Sequence, residues 1–149
     1  CVICNVHGDG FFYSSTNVRS VPHCENCTIV NCGVNGMAMA TPTDNQATQP
    51  GMITGNIVFN CTGTGMKTNA VNDRQSGCHV VALGSNGTDL ENFDDYEDMI
   101  DIIQITTADF VDHANDDFRI RRDSVLYKFY GTENFGALQN EDYEFVSVS

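Results

Sequence analysis

The sequence predicts an all-β protein whose chain winds into a solenoid of four to five stacked coils. Three observations support this prediction. A strand-like segment followed by a turn occurs four times, at spacings of 26, 29 and 22 residues, which is the period range of repeat architectures. No segment shows the periodicity of about 3.6 residues that amphipathic helices require. The composition, with 13 Gly, 18% charged residues and no Trp in 149 residues, is typical of a β-rich domain with many turns.

The repeat combines alternating apolar residues, an Asn or Cys, and a turn that contains Gly. Its four copies are CVICNVHGDGF (1–11), CTIVNCGVNGM (27–37), NIVFNCTGTGM (56–66) and CHVVALGSNGT (78–88). In the two middle copies, Asn31 corresponds to Asn60 and Cys32 corresponds to Cys61. One short strand and one turn per period favour a coil of a β-solenoid over a propeller blade, which needs about 40 residues and four strands.

Stacking predicts which side chains contact one another. Successive coils of a solenoid lie about 4.8 Å apart, so equivalent residues of neighbouring coils touch. An inward aliphatic column is therefore expected from Ile3, Ile29, Val58 and Val80. These four residues occupy the same place in the four copies of the repeat.

A second column is predicted at a bend of the chain. Asn5, Asn31 and Asn60 are expected to form an amide ladder, in which each side chain bonds backbone groups and its stacked neighbours. The ladder stops in the fourth copy, where Ala82 stands at this position. Each copy also ends on a turn glycine, for which a positive φ is expected. These glycines are Gly10, Gly36, Gly65 and Gly87.

The cysteines are interpreted as reduced, buried thiols. Stacked Cys32 and Cys61 fall within the Cα separation that a disulfide allows, but stacking alone does not orient the sulfurs, and we favour free thiols. Two further pairs have the spacing of zinc ligands. They are Cys1/Cys4 and Cys24/Cys27. Both lie inside apolar strand patterns, where cysteine serves as a small hydrophobic residue, so a structural role is favoured over zinc.

These features resemble the right-handed parallel β-helix, or pectate-lyase-like, superfamily. The segments ADFVDHANDDFRIRRDS (108–124) and GTENFGALQ (131–139) are similar to the closing coil of many such proteins. The matching residues are Phe110, Asp112, Asp117, Phe118, Arg119, Ile120, Ser124, Gly136, Ala137 and Gln139. The resemblance implies a right-handed parallel β-helix over residues 1–140, with repeated coils at 1–88, an acidic excursion and last strand at 89–107, a closing coil at 108–140, and a tail at 141–149.

The charge of the chain argues against two classes of partner. The net charge is −13 and the pI is about 4.3, so polyanions such as nucleic acid and anionic membrane surfaces would be repelled. No apolar run approaches the roughly 20 residues of a membrane-spanning helix. We therefore expect no nucleic-acid binding and no membrane insertion.

No catalytic residue is assigned, and enzymatic activity is not favoured. Glycoside hydrolysis needs paired carboxylates that flank one bond. The acids of the first 88 residues occupy non-equivalent points of their coils, so stacking does not bring them together. They are Asp9, Glu25, Asp44 and Asp73. The binding candidates are Phe12 and Tyr13, whose aromatic rings could stack on a sugar, and the acids Asp44 and Asp73.

The acidic stretch DLENFDDYEDMID (89–101) offers calcium ligands. Asp94, Asp95 and Asp98 are the candidates, because calcium takes oxygen ligands from flexible loops. The stretch lacks the fixed spacing of an EF-hand. A solvated acidic loop is therefore the favoured interpretation; no cofactor is assigned, and calcium is kept as the alternative.

We expect a non-catalytic structural or adhesive β-helix protein. The resemblance suggests a virion component, such as a phage fibre, spike or decoration protein, or an extracellular, cell-surface component. The alternatives are a fragment of a polysaccharide lyase or hydrolase, and a carbohydrate-binding module that uses Phe11, Phe12 and Tyr13. An open first coil exposes strand edges, so a homo-oligomer or larger assembly is expected to cover it, with polysaccharide as a further partner.

Overall fold

The computed structural model describes residues 1–14, 23–40, 52–68, 80–91, 101–130 and 136. Most of these residues lie in β-strands. The strands are β1 (Val2–Val6), β2 (Phe11–Ser14), β3 (His23–Glu25), β4 (Thr28–Cys32), β5 (Met37–Ala40), β6 (Met52–Thr54), β7 (Asn56–Phe59), β8 (Thr64–Thr68), β9 (Val80–Gly84), β10 (Thr88–Glu91), β11 (Asp101–Gln104), β12 (Phe110–Asp112) and β13 (Asp117–Ile120). The described helices are two 3-10 turns, Thr107–Asp109 and His113–Asn115, and one short α-helix, α1 (Val125–Tyr130).

Two parallel sheets form the body of the protein. The larger sheet has the strand order β1-β4-β7-β9-β11, and the smaller has the order β10-β8-β5-β2. Strands β3 and β6 form a further parallel pair. In the two large sheets, each strand pairs with the strand one period later in the chain, at offsets of 21 to 29 residues. The predicted all-β class is confirmed, and the pairing in these three sheets is parallel.

The register matches the predicted aliphatic column in three of its four members. Ile3 pairs with Ile29, and Ile29 pairs with Val58. Val58 then pairs with Leu83, so the predicted place of Val80 is wrong by three residues. A shift by an odd number of residues moves a side chain to the other face of a sheet. Val80 accordingly packs on the opposite side of the sheet from Ile29 and Val58.

Apolar residues form two layers, one on each face of the five-stranded sheet. On β4, Ile29 faces one layer and Val30 faces the other, and both are 0% exposed. The same alternation occurs on β7, where Val58 and Phe59 are 0% and 1% exposed. Parallel strands buried on both faces have continuous apolar sequences, which explains the run IVF in β7.

The inner layer lies between the two large sheets. Residues of the five-stranded sheet, such as Leu83, pack there against residues of the four-stranded sheet, such as Met37 and Met66. All three side chains are fully buried. Methionine is unbranched and fills irregular space between stacked strands, so it suits this layer.

The outer layer is covered by the C-terminal segment. Strands β12 and β13 form an antiparallel hairpin, and their residues Phe110, Phe118 and Ile120 pack with Leu126 of α1 on the outer face of the five-stranded sheet. The predicted closing coil at 108–140 is therefore, in its described part, a cover laid along the side of the sheet. The physical reason is that the outer face is as apolar as the inner face and has to be shielded from water. Further along the chain, the amide of Gly136 donates to a backbone carbonyl at Gly55.

The boundary predicted at residue 88 also differs from the structure. Strand β10 continues through Glu91 and pairs with β8, so the beginning of the predicted acidic excursion is regular strand. The last predicted strand is present as β11, which pairs with β9. Residues 92–100, which contain four of the seven acids of the stretch 89–101, lie outside the described part of the chain.

The turn glycines serve a different purpose from the one predicted. Among the described glycines, only Gly55 and Gly136 have positive φ, so the expected positive φ at the four turn positions is wrong. They are glycines because another part of the chain passes too close for a side chain. A Cβ placed on Gly36 would lie 2.1 Å from Cγ1 of Val58 and 2.7 Å from the carbonyl oxygen of Gly65. Close approach between neighbouring turns therefore fixes the residue type.

Candidate functional site: the amide ladder and its groove

Three asparagines and one aspartate form a continuous chain of side-chain hydrogen bonds. Asn60 Nδ2 donates to Asn31 Oδ1 over 2.8 Å, and Asn31 Nδ2 donates to Asn5 Oδ1 over 2.8 Å. Asn5 Nδ2 then donates to Asp116 Oδ2 over 3.2 Å. Every donor in this chain points toward Asp116, so each hydrogen bond polarises the next one. The last donor, Asn5 Nδ2, bonds a carboxylate oxygen.

The backbone explains why asparagine occupies these positions. Asn5, Asn31 and Asn60 have φ of 56°, 59° and 55°, in the left-handed region. Asparagine enters this region more readily than other residues with a Cβ, because its short polar side chain makes local hydrogen bonds. The bend lies at the edge of the inner layer, and it presents the amides to solvent, with Asn5 and Asn60 exposed and Asn31 half-buried.

The ladder ends at Ser85, which is the next residue with the same backbone conformation. Its φ is 54°. The backbone N–H of Asn60 donates to the backbone carbonyl of Gly84 over 3.0 Å, so Ser85 follows Asn60 in the stack. In the part of the chain that the structure describes, no hydrogen bond joins the serine side chain to Asn60. Within the described residues, Oδ1 of Asn60 accepts no hydrogen bond.

A groove of about 420 Å³ lies beside this end of the ladder. Its walls include Asn31, Asn60, Thr62, Ser85 and Asn86, and among the described residues no charged side chain lines it. The groove exists because the fourth rung carries a serine where the first three carry an amide. Cys61 and Gly87 complete the lining, and its amides, hydroxyls and backbone groups can bind ligands by hydrogen bonds.

One wall of the groove is held rigidly by Asn86. Its Oδ1 accepts from the amide of Cys61 over 2.9 Å, and its Nδ2 donates to the carbonyl of Val58 over 3.1 Å. Nδ2 also lies 3.2 Å from Oδ1 of Asp89, whose other oxygen accepts from Gln104 Nε2 over 3.0 Å. The side chain of Asn86 thus links successive periods and has little freedom to move.

A second polar stack was missed by the sequence interpretation. Asp9 Oδ1 accepts from both the backbone and side-chain nitrogens of Asn35, each over 2.9 Å, and Asn35 Oδ1 accepts from the amide of Thr64 over 3.0 Å. Its signal in the sequence is a polar residue directly before each turn glycine. Thr64 Oγ1 donates to Glu91 over 2.9 Å, and Lys67 Nζ lies 3.0 Å from the same carboxylate. The hydrogen bonds from Lys67 and Thr64 lower the pKa of Glu91.

Asn56 is a buried structural residue that the sequence interpretation also missed. It is 0% exposed, its Oδ1 accepts from the amide of Cys27, and its Nδ2 donates to the carbonyl of Cys24, each over 2.9 Å. These bonds pair the backbone N–H of Cys27 and the backbone carbonyl of Cys24 around the buried turn between β3 and β4. Leaving such buried groups unpaired would destabilise the fold. The alignment had placed Cys78 opposite Asn56; Cys78 lies outside the described residues, and Val81 pairs with Asn56.

The cysteines of the described segments are free thiols. They are Cys1, Cys4, Cys24, Cys27, Cys32 and Cys61. A hydrogen bond between Cys32 and Cys61 raises the pKa of Cys32 and lowers that of Cys61. Burial, followed by the neighbouring Cys27, raises the pKa of Cys24 to about 12. No group of three or more His, Cys, Asp or Glu side chains within the described ranges could hold a metal ion.

The remaining predicted site residues separate into two groups. Phe12 is 63% exposed on the outer face of the four-stranded sheet, whereas Phe11 and Tyr13 face the other way and pack against the inner layer. Of the three aromatic residues proposed for sugar stacking, only Phe12 is presented to solvent. Five predicted residues lie outside the described part of the chain. They are Asp44, Asp73, Asp94, Asp95 and Asp98.

Acidic residues of the C-terminal cover form hydrogen bonds and ion pairs with other side chains of the protein. Asp117 is buried and makes a two-pronged ion pair with Arg119, at 2.8 Å and 2.6 Å. Asp112 accepts from the side chain of Asn115 over 2.7 Å, and Asp116 bonds Asn5 as described above. These contacts hold the cover in shape and tie it to the ladder.

The cover also contains a buried polar atom that has no hydrogen-bond partner among the described residues. The ring of His113 packs against Phe59, Phe110 and Phe118 with centroid distances of 5.4, 5.8 and 5.6 Å. Its Nε2 is buried and makes no hydrogen bond to any residue within the described ranges. The imidazole therefore serves here as a fourth ring in an aromatic cluster under the cover.

Comparisons with known proteins give no match to this chain among family models, curated proteins or solved structures. Within the described residues, no helix has the length and apolar character that crossing a membrane requires. The fold and the site therefore define an all-β protein of parallel sheets with a polar ladder along one bend.

Proposed function

We propose that this protein is a right-handed parallel β-helix with a non-catalytic structural and adhesive role, on a virion or another extracellular surface. The observation that carries the proposal is the in-register stacking of successive periods, with Asn5, Asn31 and Asn60 joined by hydrogen bonds. Stacked coils in which like residues touch like form a rigid, quasi-one-dimensional rod. The setting on a virion or cell surface follows from the family resemblance alone.

The order of strands along the chain supports the β-helix. Each period contributes one strand to the five-stranded sheet and the next strand to the four-stranded sheet, as in β1 then β2, β4 then β5, β7 then β8, and β9 then β10. A chain that alternates between two parallel sheets in this way advances as a coil. Crossover connections between parallel strands of one sheet are right-handed in nearly all proteins, which favours the right-handed form.

One end of the stack presents apolar surface that suits an assembly. Strands β1 and β2 are edge strands of the two large sheets. At this end Val2 is 41% exposed and Phe12 is 63% exposed. Exposed strand edges are sites of pairing with another chain. We propose that a second copy or a neighbouring protein covers this end in the working assembly.

Two measurements test the proposal. Incubation of the purified protein with acidic and neutral polysaccharides should release no reducing ends or unsaturated sugars above the buffer control, and product that rises with protein concentration would exclude the non-catalytic role. Size-exclusion chromatography with light scattering should show an oligomer or a concentration-dependent assembly. A monomer at all concentrations would contradict the proposed assembly. An experimental structure in which the strands do not close into coils would contradict the β-helix.

A further inference from the structure

We propose that the groove beside Asn60 and Ser85 binds a neutral sugar residue of a glycan chain. The inference rests on the proposed adhesive role, because it names the class of ligand to which this protein adheres. The groove is lined by residues that also join successive periods, such as Asn60 and Asn86. It is the place where the ladder of amides is interrupted.

The first argument is the open position at the end of the ladder. Asn60 donates to Asn31, yet its Oδ1 accepts no hydrogen bond from the described residues, because the next rung is Ser85. Asn60 lines the groove, and an amide oxygen without a protein donor is an acceptor for a ligand hydroxyl. The hydroxyl of Ser85 and that of Thr62 add groups that both donate and accept.

The second argument is the size of the groove. Its volume of about 420 Å³ lies at the lower end of the range for small-molecule sites, which is about 300–1,000 Å³. The groove is open along its length, so it can take one unit of a longer chain whose neighbouring units continue into solvent. This shape favours a glycan over an isolated small molecule that needs enclosure.

The third argument is charge. In the part of the chain that the structure describes, no charged side chain lines the groove, and the nearby carboxylate of Asp89 already accepts from Asn86 and Gln104. The protein carries a net charge of −13, which repels anionic polysaccharides. Neutral hydroxyl groups match the amide and hydroxyl lining, so a neutral hexose or N-acetylhexosamine unit fits better than a uronic acid.

The fourth argument is preorganisation. Asn86 is held by three polar contacts, and Asn31 and Asn60 are held by the ladder. Side chains fixed in advance lose little conformational entropy when a ligand binds. The contacts are still few and exposed, so a single site should bind in the millimolar range, and several copies in an assembly would raise the avidity.

The experiment uses a substitution that closes the groove and strengthens the fold. Ser85→Asn supplies the missing rung, which occupies the space beside Asn60 and donates to its Oδ1. Ser85→Gly is the matched control, because glycine accepts the same φ and leaves the groove open. Folding of each variant is checked by circular dichroism and thermal unfolding before binding is measured.

Binding is measured by NMR titration of the ¹⁵N-labelled protein with cellotetraose, maltotetraose and N,N′,N″-triacetylchitotriose. We expect at least one of these to shift the signals of Asn60, Thr62 and Asn86 in a saturable way. Ser85→Asn should bind the same sugar at least tenfold more weakly, and Ser85→Gly, which loses one hydroxyl but keeps the groove open, should bind it more tightly than Ser85→Asn. Tetragalacturonate and an asparagine-containing peptide should produce no saturable shift at these residues.

The proposal is overturned if none of the three neutral sugars binds, if Ser85→Asn binds as well as the unmodified protein, or if the galacturonate or the peptide binds more tightly. These outcomes differ from failure of the proposed function. A protein that cleaves polysaccharides or does not assemble contradicts the structural role, whereas a non-cleaving, assembled protein that ignores neutral sugars contradicts this inference alone.

Discussion

The side chains of Asn5 and Asp116 are joined by a 3.2 Å hydrogen bond, although 111 residues separate them in the chain. Asn5 belongs to the first strand of the five-stranded sheet, and Asp116 lies between a 3-10 turn and β13 in the C-terminal cover. The bond connects the end of the amide ladder to the segment that shields the outer face. The same carboxylate lies close enough to Cys4 to contribute, after burial, to raising the pKa of that thiol.

The first prediction concerns Asp116, which has a φ of 61° and a hydrogen bond to Asn5. Two substitutions test how these features affect stability. Asp116→Asn keeps an acceptor oxygen and a residue type that tolerates this φ, so its free energy of unfolding should stay within about 0.5 kcal/mol of the unmodified protein. Asp116→Ala loses the bond and strains the backbone, at a cost of about 1–2 kcal/mol. Urea denaturation measures both. Equal stability of the Ala and Asn variants would show that the contact contributes nothing.

The ladder predicts an ordering of two glycine variants. Asn31 makes two ladder bonds, whereas Asn60 makes one. Glycine accepts the positive φ at both sites, so the comparison isolates the amides. Asn31→Gly should lower the free energy of unfolding by about 1 kcal/mol more than Asn60→Gly, since each net hydrogen bond contributes about 1 kcal/mol. The reverse order in denaturant titrations would count against a cooperative ladder.

Completing the ladder should stabilise the protein. Ser85→Asn adds a donor to the free Oδ1 of Asn60 at a residue whose φ of 54° already suits asparagine. We expect a gain of about 0.5–1.5 kcal/mol in the free energy of unfolding. Ser85→Gly separates the effect of the backbone from the effect of the new amide, because glycine relieves the strain of a positive φ and adds no side chain. If the Gly variant gains as much as the Asn variant, the amide has not joined the ladder.

Two glycines with opposite surroundings test the close approach of neighbouring turns. A Cβ on Gly36 would lie 2.1 Å from Val58 Cγ1, whereas a Cβ on Gly8 meets nothing within 4 Å. Gly36→Ala should therefore lower the free energy of unfolding by about 1–3 kcal/mol, and Gly8→Ala should change it little. Chemical denaturation of the two variants side by side provides the measurement. A tolerated alanine at Gly36 would mean that the turns are further apart than the structure indicates.

The buried thiol of Cys24 predicts a loss of stability at alkaline pH. Burial raises its pKa from 9.0 to about 12, so between these values the folded protein holds a proton that the unfolded chain has released. Stability from this group is complete below pH 9 and falls as the pH rises toward 12, by about 1.4 kcal/mol per pH unit at most. Cys24→Ala removes this dependence, although it lowers stability at neutral pH. Parallel slopes for the two proteins between pH 9 and 11 would rule out the assignment.

Much of the stacking could be predicted from the sequence, because repeated residues show which positions of neighbouring periods lie side by side. The Asn-Cys pairs at 31–32 and 60–61 stand at equal distances from apolar residues and a turn glycine, so the alignment of the second and third periods was unambiguous. The fourth period has no such pair. The alignment of Gly87 with Gly65 gave an offset of 22 residues, whereas packing places Leu83 beside Val58, at an offset of 25.

The groove was not predictable for a related reason. Its defining feature is an interruption, Ser85 in place of an amide, and an interruption becomes visible only when the register of that period is known. The roles of Asn56 and Asn86 were not predictable either. Their side chains bond backbone groups of another period, and which groups these are depends on the register. Such contacts join residues 25 to 32 positions apart.

The sequence by itself determined the all-β class, the parallel stacking and the asparagine ladder, since these depend on a short pattern that is repeated and read locally. The tertiary structure decided the register of the fourth period, the groove that follows from it, and the position of the C-terminal cover on the outer face. Those features depend on the fit between segments that share no repeat. A pattern of residues specifies which face is apolar, but only the packed chain specifies what covers it.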